Sequence, residues 1–193
     1  MVSLELALHF CMNAGRFSTM DDQQKQPLAL LGNTGLLNLP KTAFLSSRKV
    51  SPEAVLRCCT WATAQRDAGR CVISGFHSAL ERDVLRLLLK GVQPVVLVLA
   101  RRLYSPQTLE REHADLKRAL DEGRLLLVST SSAGRANASS TIQRNRFIVD
   151  QADEIVVGSL SPAGSLAPLI ARADESGKRI TRLDSNPDSS RTL

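Results

Sequence analysis

Short, continuous apolar runs alternate with helix-length amphipathic segments along most of this chain, and that alternation restricts its fold more than any other feature. The runs are LALL (28–31), RCVIS (70–74), PVVLVLA (94–100), RLLLVS (124–129), EIVVGS (154–159) and RITRL (179–183). Each is of strand length, and most lack the apolar–polar alternation of a strand that is wet on one side, so the set predicts strands buried on both faces. The segments between them carry helix punctuation. SPEAVLRCCTWATAQRDAG (51–69) opens on a Ser cap followed by Pro and closes on Gly; SPQTLEREHADLKRALDEG (105–123) repeats the arrangement. ALERDVLRLLLKG (79–91) sets Leu80, Val84, Leu87 and Leu88 on one face, and two further helices are expected around 140–152 and 164–176.

Strand and helix in alternation mean βαβ units. The expected fold is α/β, a doubly wound and mostly parallel sheet of about six strands with helices on both faces, Rossmann-like. It is expected to span residues 27–184 as one domain. Residues 1–26 read as an appended helix and polar linker, and 185–193 as a flexible tail. A long irregular stretch is expected between the first run and Ser51.

In such sheets ligands sit outside the carboxyl ends of the strands, near the point where strand order reverses. The residues after each run are therefore the candidate site: Gly32-Asn33, Ser74-Gly75-Phe76-His77, Arg101, Ser129, and Ser161 with Gly164-Ser165. Small and polar residues let the backbone approach a ligand and aim N–H groups at it, and a following helix start adds positive potential. The same residues are also ordinary turn and capping choices. Their convergence on one edge of the sheet is what favours a site with a preference for anions.

Other chemistries lack their residues. GNTG (32–35) is too short for the GxGxxG dinucleotide fingerprint, GxxxxGK[ST] does not occur, and His77 has no GxSxG elbow near it. Four cysteines without CxxC spacing and three scattered histidines form neither a zinc pattern nor a disulfide framework; no metal and no cofactor are expected, and a reducing cytoplasm fits best. No apolar run approaches the roughly 18 residues a membrane span requires. The apolar start has no basic residue before it, which argues against a signal peptide. The net charge of +6, carried mostly by arginine, favours an anionic partner, although one Trp and one Tyr supply little for base stacking.

TIQRNRFIVDQADEIVVGSLSPAGSL (141–166) concentrates the remaining signal. Arg144 and Arg146 diverge around a helix by about 200°. Arg144 and Asn145 lie near the start of the helix that feeds the fifth run. There Arg144 either reaches a phosphate across the sheet rim or ties loop carbonyls together.

VISGFHSALERDVLRLLLKGVQPVVLVLARRL, GRLLLVSTSSAGRANASSTIQRNRFIVDQADEIVVGSLSPAGSL and GKRITRLD resemble the DNA-processing protein A (DprA/Smf) family, within the Smf/LOG Rossmann-like superfamily. The strongest pieces are Ser74-Gly75, Arg144-Asn145-Arg146, Ala152-Asp153 and Gly164-Ser165. The resemblance implies a non-enzymatic protein that binds single-stranded DNA, loads a recombinase and pairs as a homodimer, with Ser74, Gly75, Arg144, Asn145, Gly164 and Ser165 facing the ligand. Two departures stand out. FHSALE replaces the family's usual glycine-containing stretch, placing Ala79 and Glu81 at its last Gly and Asp positions. The phosphoribohydrolase branch needs PGGxGTxxE with a catalytic glutamate, and here Ala167-Pro168 stand where that acid belongs, so its hydrolysis is not expected. The alternative reading is a sensor or enzyme for a free nucleotide or nucleotide-derived small molecule in the same pocket.

Overall fold

The structure is a computed structural model describing residues 29–185. The expected N-terminal helix and linker (1–26), and 186–193 of the expected tail, lie outside the described residues. Seven strands form one sheet: β1 (Ala29–Gly32), β2 (Lys41–Ser46), β3 (Cys71–Ser74), β4 (Val95–Leu99), β5 (Leu125–Ser129), β6 (Glu154–Ser159) and β7 (Arg179–Arg182). Their order is β1-β5-β4-β3-β2-β6-β7. All neighbours run parallel except β1, which pairs antiparallel with β5.

The continuous apolar runs resolve into two faces because successive side chains of a strand point oppositely. In β4, Val96 and Val98 join one buried cluster, with Phe147, Ile148, Ile170 and Ala173. Val95, Leu97 and Leu99 join the other, with Cys58, Ala62, Leu80, Val84 and Leu116. Helices α5 (Ala138–Gln151) and α6 (Ala167–Glu175) thus cover the first face. Helices α1 (Pro52–Asp67), α2 (Ala79–Leu89), α3 (Pro106–Glu112) and α4 (Ala114–Asp121) cover the second.

Three expectations need correction. The first run is not a buried parallel strand: β1 is an exposed antiparallel edge. The stretch expected to be irregular contains β2, every residue of which is buried. It escapes an apolar search because it starts with Lys41 and Thr42. The Lys41 ammonium is buried at 2.8 and 2.7 Å from the carbonyls of Leu37 and Leu39, to which it donates. The backbone N–H of Lys41 donates to the Asp153 carboxylate at 2.7 Å, fixing where β2 starts beside β6. Finally, the expected helix over 105–123 is two helices, because His113 leaves helical geometry at φ −138°, ψ 48° and its ring packs 4.4 Å from that of Tyr104.

The missed strand is also the topological pivot. The chain steps outward from β2 through β3 and β4 to β5, then returns to the far side of β2 for β6 and β7. Strand order reverses between β2 and β6, and the connections leaving their carboxyl ends diverge, which opens a crevice there.

Candidate functional site

Two hollows lie side by side along the carboxyl rim. The first, about 320 Å³, sits over the β2/β6 reversal. Ser46, Ser47, Arg48 and Lys49 line it from the end of β2, and Ser161, Gly164 and Ser165 from the loop after β6. His77, Ser78 and Glu81, together with Thr141, Arg144 and Asn145, complete it. The second, about 660 Å³, extends over β3 and β4 and is lined by Gly75, Phe76, Arg82, Arg101, Tyr104, His113 and Arg135, among others. His77 and Arg144 belong to both.

Hydrogen bonds hold the first hollow's rim loops in register. The Ser161 N–H donates to Ser47 Oγ at 2.9 Å, Ser159 Oγ donates to the Lys49 carbonyl at 2.8 Å, and the Ser47 N–H donates to the Ser159 carbonyl at 2.8 Å. The two helices on this face end differently. Asn137 and Ser140 close α5 with a reciprocal capping box, which engages the N–H groups of both residues. Helix α6 starts after Leu166 with no side-chain cap, but its Ala167 N–H donates to the Gly164 carbonyl at 3.2 Å and Pro168 has no N–H to offer, so its first turn presents few free donors.

Arg144 is placed differently from the expectation. Because α5 begins at Ala138, Arg144 sits well inside the helix, and it is only 6% exposed. Its guanidinium does not tie loop carbonyls together. Nε and Nη2 donate to Asn145 Oδ1 at 3.1 and 2.8 Å, and Nη1 has no hydrogen-bond partner among the described residues. Arg146, on the divergent face, is exposed.

Gly75 is what lets the guanidinium lie where it does. A Cβ at that position would stand 2.7 Å from Arg144 Cζ and Nε and 2.9 Å from Nη1. Among the described residues no carboxylate comes within 4.0 Å of Arg144. Burial pulls its ionisation below the ordinary arginine range, with Glu81 opposing that pull from a distance. A buried cation that has a hydrogen-bonding neighbour but no counter-ion is costly in isolation, and an entering anion offsets that cost.

Glu81 acts on it only from beyond ion-pair distance. The carboxylate is buried, and it accepts the backbone N–H groups of Ser46 at 3.1 Å, His77 at 2.7 Å and Ser78 at 3.0 Å. It therefore ties the end of β2 to the β3–α2 loop. In that loop Phe76 is buried and holds φ 45°, the one positive φ outside glycine among the described residues. Such backbone persists where packing over-determines it.

The structure brings most of the expected site residues together. His77, Arg144, Asn145, Ser161, Gly164 and Ser165 line the first hollow; Gly75, Phe76 and Arg101 line the second. Ser74 and Ser129 lie beneath the rim and shape loops instead. Ser74 Oγ accepts the Phe76 N–H at 3.2 Å, and Ser129 Oγ lies 2.9 Å from the carbonyls of Arg101 and Ser131. Gly32 and Asn33 are at the opposite end of the sheet. Antiparallel β1 runs its carboxyl end to the start of β5, where the Asn33 N–H donates to the Leu125 carbonyl at 3.2 Å.

Ser46, Ser47, Arg48 and Lys49 were not expected, because β2 was not. The available signal was the pattern "short apolar run, then Ser": β2, β3, β5 and β6 all end on serine. On the second hollow, Arg101 places its guanidinium 4.3 Å from the centre of the Tyr104 ring, so the single tyrosine forms a guanidinium–aromatic wall there.

Fold and rim together define an open, Rossmann-like α/β protein with a groove lined by basic side chains at its strand reversal. Within that class, the family model for DNA recombination-mediator protein A matches residues 15–192. The chain belongs to that family.

Solved structures agree on the fold. DNA processing protein A from Helicobacter pylori shares 17% identity at a TM-score of 0.64, over 82% of this chain and 72% of that one. DNA processing protein A from Streptococcus pneumoniae shares 17% at a TM-score of 0.65, over 79% of this chain. This chain spans about half (53%) of the length of that protein. The molybdenum cofactor carrier protein from Chlamydomonas reinhardtii is more distant, at 12% identity and a TM-score of 0.53, over 78% of this chain and 80% of that one. No curated protein matches. Among the described residues no helix is long and apolar enough to cross a membrane.

Proposed function

We propose that this chain binds single-stranded DNA along the carboxyl rim and acts in DNA processing without bond chemistry of its own. The observation that carries the reading is Arg144, a buried guanidinium without a counter-ion that opens onto both hollows. Arg48 and Lys49 flank it on one side, and Arg82, Arg101 and Arg135 on the other. A backbone phosphate enters the first hollow, between Arg144 and the Ser161–Ser165 loop, and the neighbouring nucleotide lies over the second hollow, against the Arg101–Tyr104 wall. Ser74 and Ser129 support these loops, while Gly32 and Asn33 take no part. The H. pylori relative is described as binding single-stranded DNA, which supports the same class of ligand here.

Family membership supports a recombinase as the partner that receives the strand, and the resemblance supports a homodimer, which sedimentation velocity would detect. DNA handling of this kind belongs in the cytoplasm.

The test is a titration with oligothymidylate and with a panel of mononucleotides at two salt concentrations. Each phosphate neutralised on a single strand adds about −0.7 to the slope of log K against log salt. Three to five contacts then predict an affinity loss of about 20- to 130-fold between 50 and 200 mM salt. Saturable mononucleotide binding with a shallow salt dependence and no oligonucleotide affinity would replace this reading with a free-nucleotide site.

A further inference from the structure

His77 stands where the two hollows meet, and nothing in the fold requires an imidazole there. Its backbone is fixed: the N–H donates to Glu81 and the carbonyl accepts from Arg82 Nη1 at 2.7 Å. The ring itself is free, with no hydrogen-bond partner for either nitrogen among the described residues. It is exposed, and it looks into both hollows beside Arg144.

The surroundings are cationic from every side. Arg48 and Lys49 approach from the β2–α1 loop, Arg82 from α2 and Arg144 from α5; Arg101 and Arg135 line the second hollow. Glu81 is the one carboxylate lining either hollow, and backbone N–H groups already occupy it. Partial burial and then the Arg144 charge, with smaller contributions from Arg48 and Arg82, hold the imidazole below its ordinary value; Glu81 alone pulls the other way.

We infer that His77 is a proton-linked ligand residue, whose imidazole takes a proton from solvent as a phosphodiester enters and donates the resulting N–H to it. The inference rests on the rim being the nucleic-acid groove. An entering phosphate cancels part of the guanidinium field that disfavours the imidazolium, so the bound state holds one more proton than the free state. By linkage, affinity then rises as pH falls through the interval between the free and bound titrations, by about tenfold per pH unit at most for one proton. Histidine ordinarily changes charge between about pH 5 and 8, and that range is where the linkage is measured.

The experiment measures binding of an oligothymidylate lacking terminal phosphates, so that the ligand itself does not titrate, across that range at fixed ionic strength. It compares the unaltered chain with His77→Gln and His77→Lys. Expected are a several-fold gain on acidification for the unaltered chain, loss of most of that gain in His77→Gln, and tight binding with little pH dependence in His77→Lys. An unchanged slope in His77→Gln overturns the inference. If no oligonucleotide binds at any pH, the groove reading fails separately. The NMR titration of the His77 ring with and without inorganic phosphate then decides the matter: an upward shift of its midpoint supports proton linkage, and no shift refutes it.

Discussion

Gly75→Ala tests the site without altering a single charge. The new methyl would stand 2.7 Å from Arg144 Cζ, and ordinary contact begins near 3.4 Å, so the guanidinium must retreat by about 0.7 Å. The obstacle is the end of a flexible side chain and Gly75 has no positive φ, so the backbone accepts alanine. Stability should hold or rise slightly, since replacing glycine at a compatible position restricts the unfolded chain by about 0.4–1 kcal/mol. Binding should not hold. A hydrogen bond to a charged group is worth about 1.5–3 kcal/mol, so Arg144→Ala should cost about 10- to 150-fold in affinity. Misaligning the guanidinium should forfeit about half of that free energy, roughly 3- to 12-fold.

Fluorescence anisotropy with labelled oligothymidylate reads the affinities, and thermal unfolding reads the fold. The decisive comparison is the double variant. If Gly75 acts only by making room for Arg144, adding Gly75→Ala to Arg144→Ala should change nothing further, because the group it displaces is gone. A glycine penalty that persists at full size without the arginine would refute the reasoning, as would native affinity in the single glycine variant.

Two further outcomes follow from the carboxylates that hold the rim. Glu81→Gln replaces an acceptor with a donor facing backbone N–H groups, leaving at least one buried donor unpaired; a loss of about 1–3 kcal/mol is expected in denaturant unfolding, together with weaker oligonucleotide binding. Asp184 accepts the Leu160 N–H at 2.8 Å. Burial pushes its carboxyl up, but bonds from Arg182 and from the Leu160 N–H outweigh that and leave it below the ordinary value of 3.8. A folded-state value below the unfolded one contributes stability above the unfolded pKa and loses it as pH falls through the folded value. Asp184→Asn should therefore be less stable than the unaltered chain near neutrality, and the gap should close in strong acid. A gap that is independent of pH would contradict the assignment.

The sheet was legible where strands are buried on both faces, because β3, β4, β5 and β6 carry apolar residues on both sides and need little else. Strand β2 is equally buried but starts with a lysine, and that lysine is tolerated only because two carbonyls from the preceding turn reach it. No pattern within 41–46 reports a partner supplied by Leu37 and Leu39. The direction of β1 was illegible for a related reason: four residues do not say whether they pair along or against a neighbour about 95 positions later. These two errors decided which site residues were found. Losing β2 hid Ser47, Arg48 and Lys49, and misreading β1 moved Gly32 and Asn33 from the far end of the sheet to the rim.

Local motif reading also could not show that Arg144 lacks a counter-ion. The resemblance sets Glu81 at the family's Asp position, which does not say where its carboxylate turns. Folded, its longer side chain turns back through the capping box with Ser78 and reaches the Ser46 N–H on the neighbouring strand. The anion goes to holding two loops in place, while Asn145, which is neutral, orients the guanidinium without cancelling its charge. Positive potential at the groove survives because Glu81 forms no ion pair with Arg144 and five further cations, Arg48, Lys49, Arg82, Arg101 and Arg135, line the two hollows, so a phosphate is well suited to pair with the guanidinium.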